Sequence, residues 1–198
     1  IIAAVGPIVL GVRTTETGWP VAAIATLIEA GLAASLVRSV YGGDRLVHEV
    51  GGYPAPHGIE LVGDGLSAPI VALIATVALG VVAFARTGGP RRNSFYSAYL
   101  LLVGGLMGVS ITGDLFNLFV FFEITGLATY ALVAADRSER SAVAALKYLI
   151  LGTTGASLFL IGVGYAFIST GTLNMGDLST RLAAVYTSRT VLASFVFI

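Results

Sequence analysis

The chain has no cysteine and only two histidines among its 198 residues. Disulfides, thiolate zinc sites and iron–sulfur clusters are therefore excluded from it, and two histidines are too few for a haem or a His-built metal centre. Charge is scarce as well. Asp, Glu, Lys and Arg make up 11% of the residues, where soluble domains carry about a quarter. The 11 basic and 11 acidic residues cancel, so there is no basic field to attract nucleic acid. No Walker loop, GxSxG or HExxH run occurs, and nothing points to nucleotide or hydrolytic chemistry.

What is abundant is apolar. Hydrophobic residues make up 56% of the chain and the mean hydropathy is +0.91, which describes a membrane protein before any window is examined. The chain opens on Ile1-Ile-Ala-Ala without methionine, shows no signal peptide, and stops inside the apolar run Leu192–Ile198. It therefore reads as one transmembrane domain, 1–198, cut at both ends from a longer polytopic protein of the plasma membrane.

The apolar segments run Ile1–Val12 (a shortened span), Val21–Tyr41, Ser67–Ala85, Phe95–Ile111, Leu115–Ala134, Ala142–Ile168 and a last one begun at Arg189. That makes six or seven spans in an all-α bundle, with Trp19-Pro20 as interface anchor and helix start. The Gly42–Gly63 connection, with Gly51-Gly-Tyr-Pro-Ala-Pro-His57, cannot form a regular helix. The stretch Ser169–Thr187 is polar, with a helix-start signal at Ser179. The Thr112-Gly113-Asp114 link is so short that its flanking helices must be antiparallel neighbours. Arg13, Arg86, Arg91, Arg92, Arg137 and Arg140 fall on one side by alternation, against Arg38, Arg45, Arg181 and Arg189 on the other. The first set is richer, so its side is expected to be cytoplasmic.

Ionisable side chains within a span are costly and mark function by default. Glu123 lies about 12 Å inside the fifth span counted from Leu115, near the bilayer midplane. Phe116, Phe119, Gly126, Leu127 and Tyr130 share or flank its face. A carboxylate there must pair, meet water or take up a proton. Proton handling competes with a neutral, hydrogen-bonded Glu and with a fixed ion pair. Lys147 enters the sixth span with Leu151 and Thr154 on its ladder face. It either snorkels to the headgroups or reaches Glu123 across the short loop. Glu29 is central in the second span with no cation on that helix before Arg38, and a cavity, a partner subunit, a second ion path and a neutral structural role all remain open for it. Asp64 and Asp114 stand at helix starts as caps. His48 and His57 read as surface residues, and the glycines of the fourth and sixth spans as close-packing positions.

Gly113-Asp-Leu-Phe-Asn-Leu-Phe-Val-Phe-Phe-Glu123, then Ala145-Leu-Lys-Tyr148 and Gly171-Thr-Leu-Asn-Met175, resemble the proton-conducting antiporter family. That family includes the large subunits of Mrp-type sodium/proton antiporters and the N-, M- and L-type membrane subunits of complex I. The wording around Glu123, with Gly51–Gly58 and Asp64–Ser67, looks most like the D-type member of the Mrp antiporter. The resemblance implies a longer subunit of about fourteen helices, beyond the ~20-residue spans counted here. It implies that Glu123 is the acid of the fifth helix, with its main lysine partner in a seventh helix beyond Ile198, and that Lys147 matches a lysine at the start of the sixth. It further implies a transporter subunit without a redox cofactor. Its partners would be other membrane subunits, protons, sodium and the lipid bilayer. The alternatives are the corresponding subunit of an NADH:quinone oxidoreductase or membrane-bound hydrogenase, and a passive structural subunit in which Glu123 and Lys147 merely pair.

Overall fold

The computed structural model describes residues 1–11, 17–56, 58–88 and 92–198. Arg13, His57, Pro90 and Arg91 lie outside the described residues. In chain order the elements are α1 (Ile2–Gly11), α2 (Gly18–Tyr41), β1 (Leu46–Glu49), β2 (Glu60–Gly63), α3 (Ser67–Gly88), α4 (Asn93–Ile111), α5 (Leu115–Val133), α6 (Glu139–Thr170), α7 (Met175–Val185) and α8 (Arg189–Phe197). Helices α2 to α6 are long and apolar enough to cross a membrane, α5 being extended by a 3-10 turn at Ala134–Asp136. The helical bundle expected from the sequence is what forms, with five full-length spans among the described residues, the short α1 and α8 at its ends and a two-stranded hairpin.

Helix α4 occupies the centre, packed against α1, α2, α3 and α5. Tyr96, Tyr99, Leu100 and Val103, spaced three and four apart, bury one stripe of it against the first three helices. Gly105 and Gly108 open the side that receives α5. A methyl on Gly105 would lie 2.5 Å from the Thr125 hydroxyl oxygen, and one on Gly108 would overlap the Phe121 ring. The backbones can approach because nothing projects between them, which is how helices associate where lipid competes for apolar surface.

One end of the bundle is pinned by polar contacts. The Trp19 indole N–H donates to the Val82 carbonyl at 2.9 Å, and the Arg86 guanidinium lies 5.3 Å from the Trp19 ring centroid. The Gly18 N–H donates to Asn93 Oδ1 at 2.8 Å. Trp19 is thus an anchor at a helix end, as its sequence context predicts.

The other end carries structure that no sequence motif announces. Within Gly42–Gly63, expected to be irregular, β1 and β2 pair antiparallel with Leu46 opposite Gly63 and Glu49 opposite Glu60. The prolines sit in the tip at 54 and 56, so the flanks are free to form a ladder. The hairpin then continues into the helix connections. Gly113 N–H donates to Glu60 C=O, Leu115 N–H to Leu173 C=O, and Met175 N–H to Gly113 C=O, each at 2.8 Å. Asn174 Nδ2 donates to Glu60 Oε2 at 2.8 Å. Strand β2, the α4–α5 link and the α6–α7 link are thereby laid edge to edge across the helix ends, forming a clasp.

The helix starts follow from side-chain caps. Asp114 Oδ1 accepts the Asn117 N–H at 2.8 Å, and Asn117 Nδ2 donates to Thr112 Oγ1 at 2.9 Å. Asp64 Oδ1 accepts the N–H groups of Leu66 and Ser67 at 3.0 and 2.9 Å, while Asp64 N–H donates to Ser67 Oγ at 2.7 Å. Both carboxylates therefore cap the helices they precede. Two boundaries need correction. Helix α6 starts at Glu139, three residues earlier than expected, because Ser138 Oγ accepts the Ser141 N–H. The Ser179 start signal is internal to α7, whose cap is Asn174, accepting the Asp177 N–H at 3.0 Å.

Burial pushes the Asp114 carboxyl up, against the N–H groups of Asn117 and Phe116 that draw it down. A carboxyl whose folded pKa is raised destabilises the fold as pH climbs past the ordinary Asp value. Asp114→Asn keeps an accepting oxygen and loses the charge, so at pH 7 it should be at least as stable as the parent. Asp114→Ala should be less stable by about 1 kcal/mol in thermal unfolding. At Asp64 the sign reverses, because the N–H groups of Ser67 and Leu66 hold its carboxyl below the usual range. That cap is complete above the ordinary Asp value and weakens as pH falls through the folded one. Amide exchange at Leu66 and Ser67, corrected for intrinsic rates, should quicken in acid and stay flat in Asp64→Asn.

Candidate functional site

Two faces of helix α5 are occupied by helices and a third is left open. With about 100° between successive residues, Phe121 and Thr125 point at the glycines of α4. Phe119, Phe122 and Tyr130 point at α6. The rings of Phe119 and Phe122 lie 6.5 and 5.7 Å from that of Phe159, and Tyr130 lies 5.1 Å from Tyr148. Glu123 falls on the rim of the α5–α6 seam, turned away from α4. Phe116 and Leu127, its neighbours toward the open side, are exposed. Between the helices, Gly152, Gly155 and Ala156 leave a groove of about 290 Å³ bounded by Phe119, Phe122, Leu151 and Phe159.

Glu123 is half-buried, and among the described residues it has neither an ion pair nor a hydrogen bond.

The structure does not bring Lys147 to Glu123. The Tyr130 hydroxyl, wedged between Gly126 and Gly152, sets those two residues level, so Glu123 falls opposite about residue 155 of α6, and Lys147 lies about eight residues away, about 12 Å along the axis. It is Tyr148, its neighbour, that faces α5; Lys147 is exposed and turned about a quarter-turn or more away. A short loop makes two helices neighbours without bringing any chosen pair of residues to one level. Thr154 is also exposed, its hydroxyl donating to Ile150 C=O at 2.7 Å on its own helix.

Glu29 sits elsewhere. It lines a cavity of about 510 Å³ with Ala25, Ile28, Met107, Gly108 and Phe121, between α2, α4 and the far side of α5. Its Oε2 is buried and has no hydrogen-bond partner among the described residues. Glu29 and Glu123 therefore occupy separate places, divided by the α4–α5 packing. His48 is exposed on β1, as expected of a surface residue. Among the described residues no group of three or more His, Cys, Asp or Glu could hold a metal ion.

Glu60, which locks the clasp with Asn174, carries no signal that sets it apart in the sequence; Tyr148, which shapes the seam beside Tyr130, and Asn174 lie within the quoted motifs, and Gly152 is one of the close-packing glycines. Asn174 was legible in principle, since Asn followed three residues later by Asp is a capping signature.

Residues 112–198 match the model of the family described as NADH:quinone oxidoreductase/Mrp antiporter, transmembrane region. The chain is 43% identical over 188 residues to the N-type subunit of an NADH-quinone oxidoreductase from Desulforudis audaxviator, covering 91% of this chain and 37% of that one. It is 42% identical over 166 residues to the D-type subunit of a probable K(+)/H(+) antiporter from Rhizobium meliloti, covering 82% and 30%. A chain of the membrane-bound sulfane sulfur reductase, an archaeal respiratory complex, superposes with a TM-score of 0.89 at 34% identity, covering all of this chain and 41% of the other. A chain of the Mrp complex from Dietzia superposes with 0.85 at 26% identity, covering 99% and 38%. The present chain thus spans about a third of the length of the curated relatives it matches.

If Glu123 and Lys147 are independent, their effects on stability add. In thermal unfolding, Glu123→Gln and Lys147→Met should combine to within about 0.5 kcal/mol of the sum of the single changes. A larger coupling would mean that the two side chains meet.

Proposed function

The chain belongs to the family of antiporter-like transmembrane subunits shared by Mrp antiporters and NADH:quinone oxidoreductases, is multi-pass, and we propose that it serves a multisubunit monovalent cation/proton antiporter by moving protons through Glu123. The observation that carries this reading is the Glu123 carboxylate midway along α5, with no ion pair or hydrogen bond among the described residues. An ionisable side chain kept within a span marks an ion path by default, and a carboxylate there can hand a proton on when a cation takes its place. The driving force is the gradient and the membrane potential, worth ~2.3 kcal/mol per charge per 100 mV. Lys147 is too far away to serve as the immediate partner and belongs, if to the path, nearer its α5–α6 loop end. Glu29, facing its own cavity, is a second protonatable position in the same subunit.

Sodium is the cation that the motif resemblance favours, and potassium is the one in the name of the Rhizobium relative. The partners are other membrane subunits. The apolar flank of α5 and α6, with exposed Phe116, Leu127 and Leu151, gives them a surface of the right chemistry. A second reading has the same helices driven by redox chemistry in other subunits, and the respiratory relatives favour it.

In vesicles bearing the assembled complex, Glu123→Gln should abolish cation-driven proton movement while the complex still assembles; Glu123→Asp should keep part of it. Imposed sodium and potassium gradients, without electron donor, identify the cation. Proton movement that appears only with electron donor would favour the redox-driven reading. Full exchange by Glu123→Gln would remove Glu123 from the path.

A further inference from the structure

Tyr130 stands two turns from Glu123 on the same side of α5, on the way to the α5–α6 loop. Long helical side chains lean toward the helix N-terminus, and this one does: a methyl on Gly126 would lie 3.1 Å from the Tyr130 hydroxyl oxygen. The hydroxyl is thus carried back to the level one turn from Glu123. On the other helix, a methyl on Gly152 would overlap the same oxygen. Gly126 and Gly152 together form a notch that holds a phenol oxygen between two transmembrane helices.

Among the described residues the Tyr130 hydroxyl makes no hydrogen bond. The carboxylate of Glu123 is close enough to act on it electrostatically, and so is Tyr148. Tyr148 packs edge to face on the Tyr130 ring and is itself exposed, so the polar line reaches the surface of the bundle. Among the described residues these two are the titratable groups that act on it. The α4 glycines meet Thr125 and Phe121 on another face of α5, and Lys147 points elsewhere.

We infer that the Tyr130 hydroxyl, held in the Gly126–Gly152 notch, is the proton-relay group between Glu123 and the α5–α6 loop end of the path. This deepens the proposed function and rests on Glu123 carrying the proton. In the step, the Tyr130 oxygen accepts the proton leaving the Glu123 carboxyl, directly or through one water. Its own O–H proton passes at the same time to water on the loop side, next to Tyr148. Glu123 is left as carboxylate, Tyr130 is neutral before and after, and the transferred proton ends in water.

The test uses the assembled complex in liposomes with an entrapped pH dye. Tyr130→Phe keeps the ring packing and removes the oxygen, and proton uptake should fall by about 10²-fold, the range lost with a positioned acid–base group. Small weak acids such as azide, which carry protons past a missing relay, should restore much of it. Gly152→Ala displaces the hydroxyl without deleting it and should show the same rescuable loss. Glu123→Gln should be inactive and beyond rescue, because the carboxyl itself is gone. Unchanged uptake in Tyr130→Phe would overturn the relay, as would a loss that weak acid does not restore, since that marks a packing role. Either result leaves Glu123 untouched, whereas full activity in Glu123→Gln would overturn the functional reading beneath it.

Discussion

Backbone N–H and C=O groups that leave a helix at the edge of a hydrocarbon slab must find partners, and that obligation shapes this fold. The chain meets it at one end by joining three connections into a single hydrogen-bonded ribbon. Gly113 serves both sides, donating to Glu60 and accepting from Met175, and Leu115 donates to Leu173. Each such bond contributes about 1 kcal/mol net. The larger effect is positional. With α5 and α7 starting from the same ribbon, α5 has a fixed origin, and the depth of Glu123 is set by counting from it.

From that origin the two sides of α5 are specified by different means. Glycines on α4 admit Phe121 and Thr125 at close range, which fixes rotation. Phe119, Phe122 and Tyr130 interlock with α6, which fixes tilt. Glu123 is left on the rim of the α5–α6 seam, beside the exposed apolar side chains of Phe116 and Leu127. Among the described residues no ion pair or hydrogen bond holds its carboxylate.

The spans and the two Asp caps were legible because their signals are local: apolar runs of helix length, and a side-chain oxygen three residues before a free N–H. Glu123 stood out because a carboxylate in an apolar run is costly to keep and is seldom kept for packing alone. The clasp was not legible. Glu60 lies more than a hundred residues from Asn174, and a ribbon made by three connections leaves no periodic trace in any one of them. The Gly113–Asp114 and Thr172–Met175 stretches stood out as motifs, yet their structural role is to hold α5 in place. The distance of Lys147 from Glu123 was hidden for a related reason. Adjacency of helices follows from loop length, but level and rotation follow from packing, and packing put Tyr148 in the seam.

The claim on which the rest turns is that Glu123 itself gains and loses the proton. Infrared difference spectroscopy on the assembled complex in oriented membranes, with isotope-labelled glutamate, reads this directly through the carboxylic C=O stretch. When a cation gradient is imposed, a protonated-carboxyl band should appear or vanish in step with proton flux, and that band should be absent in Glu123→Gln. A band that belongs to Glu123 but stays constant while protons cross the membrane would contradict the claim.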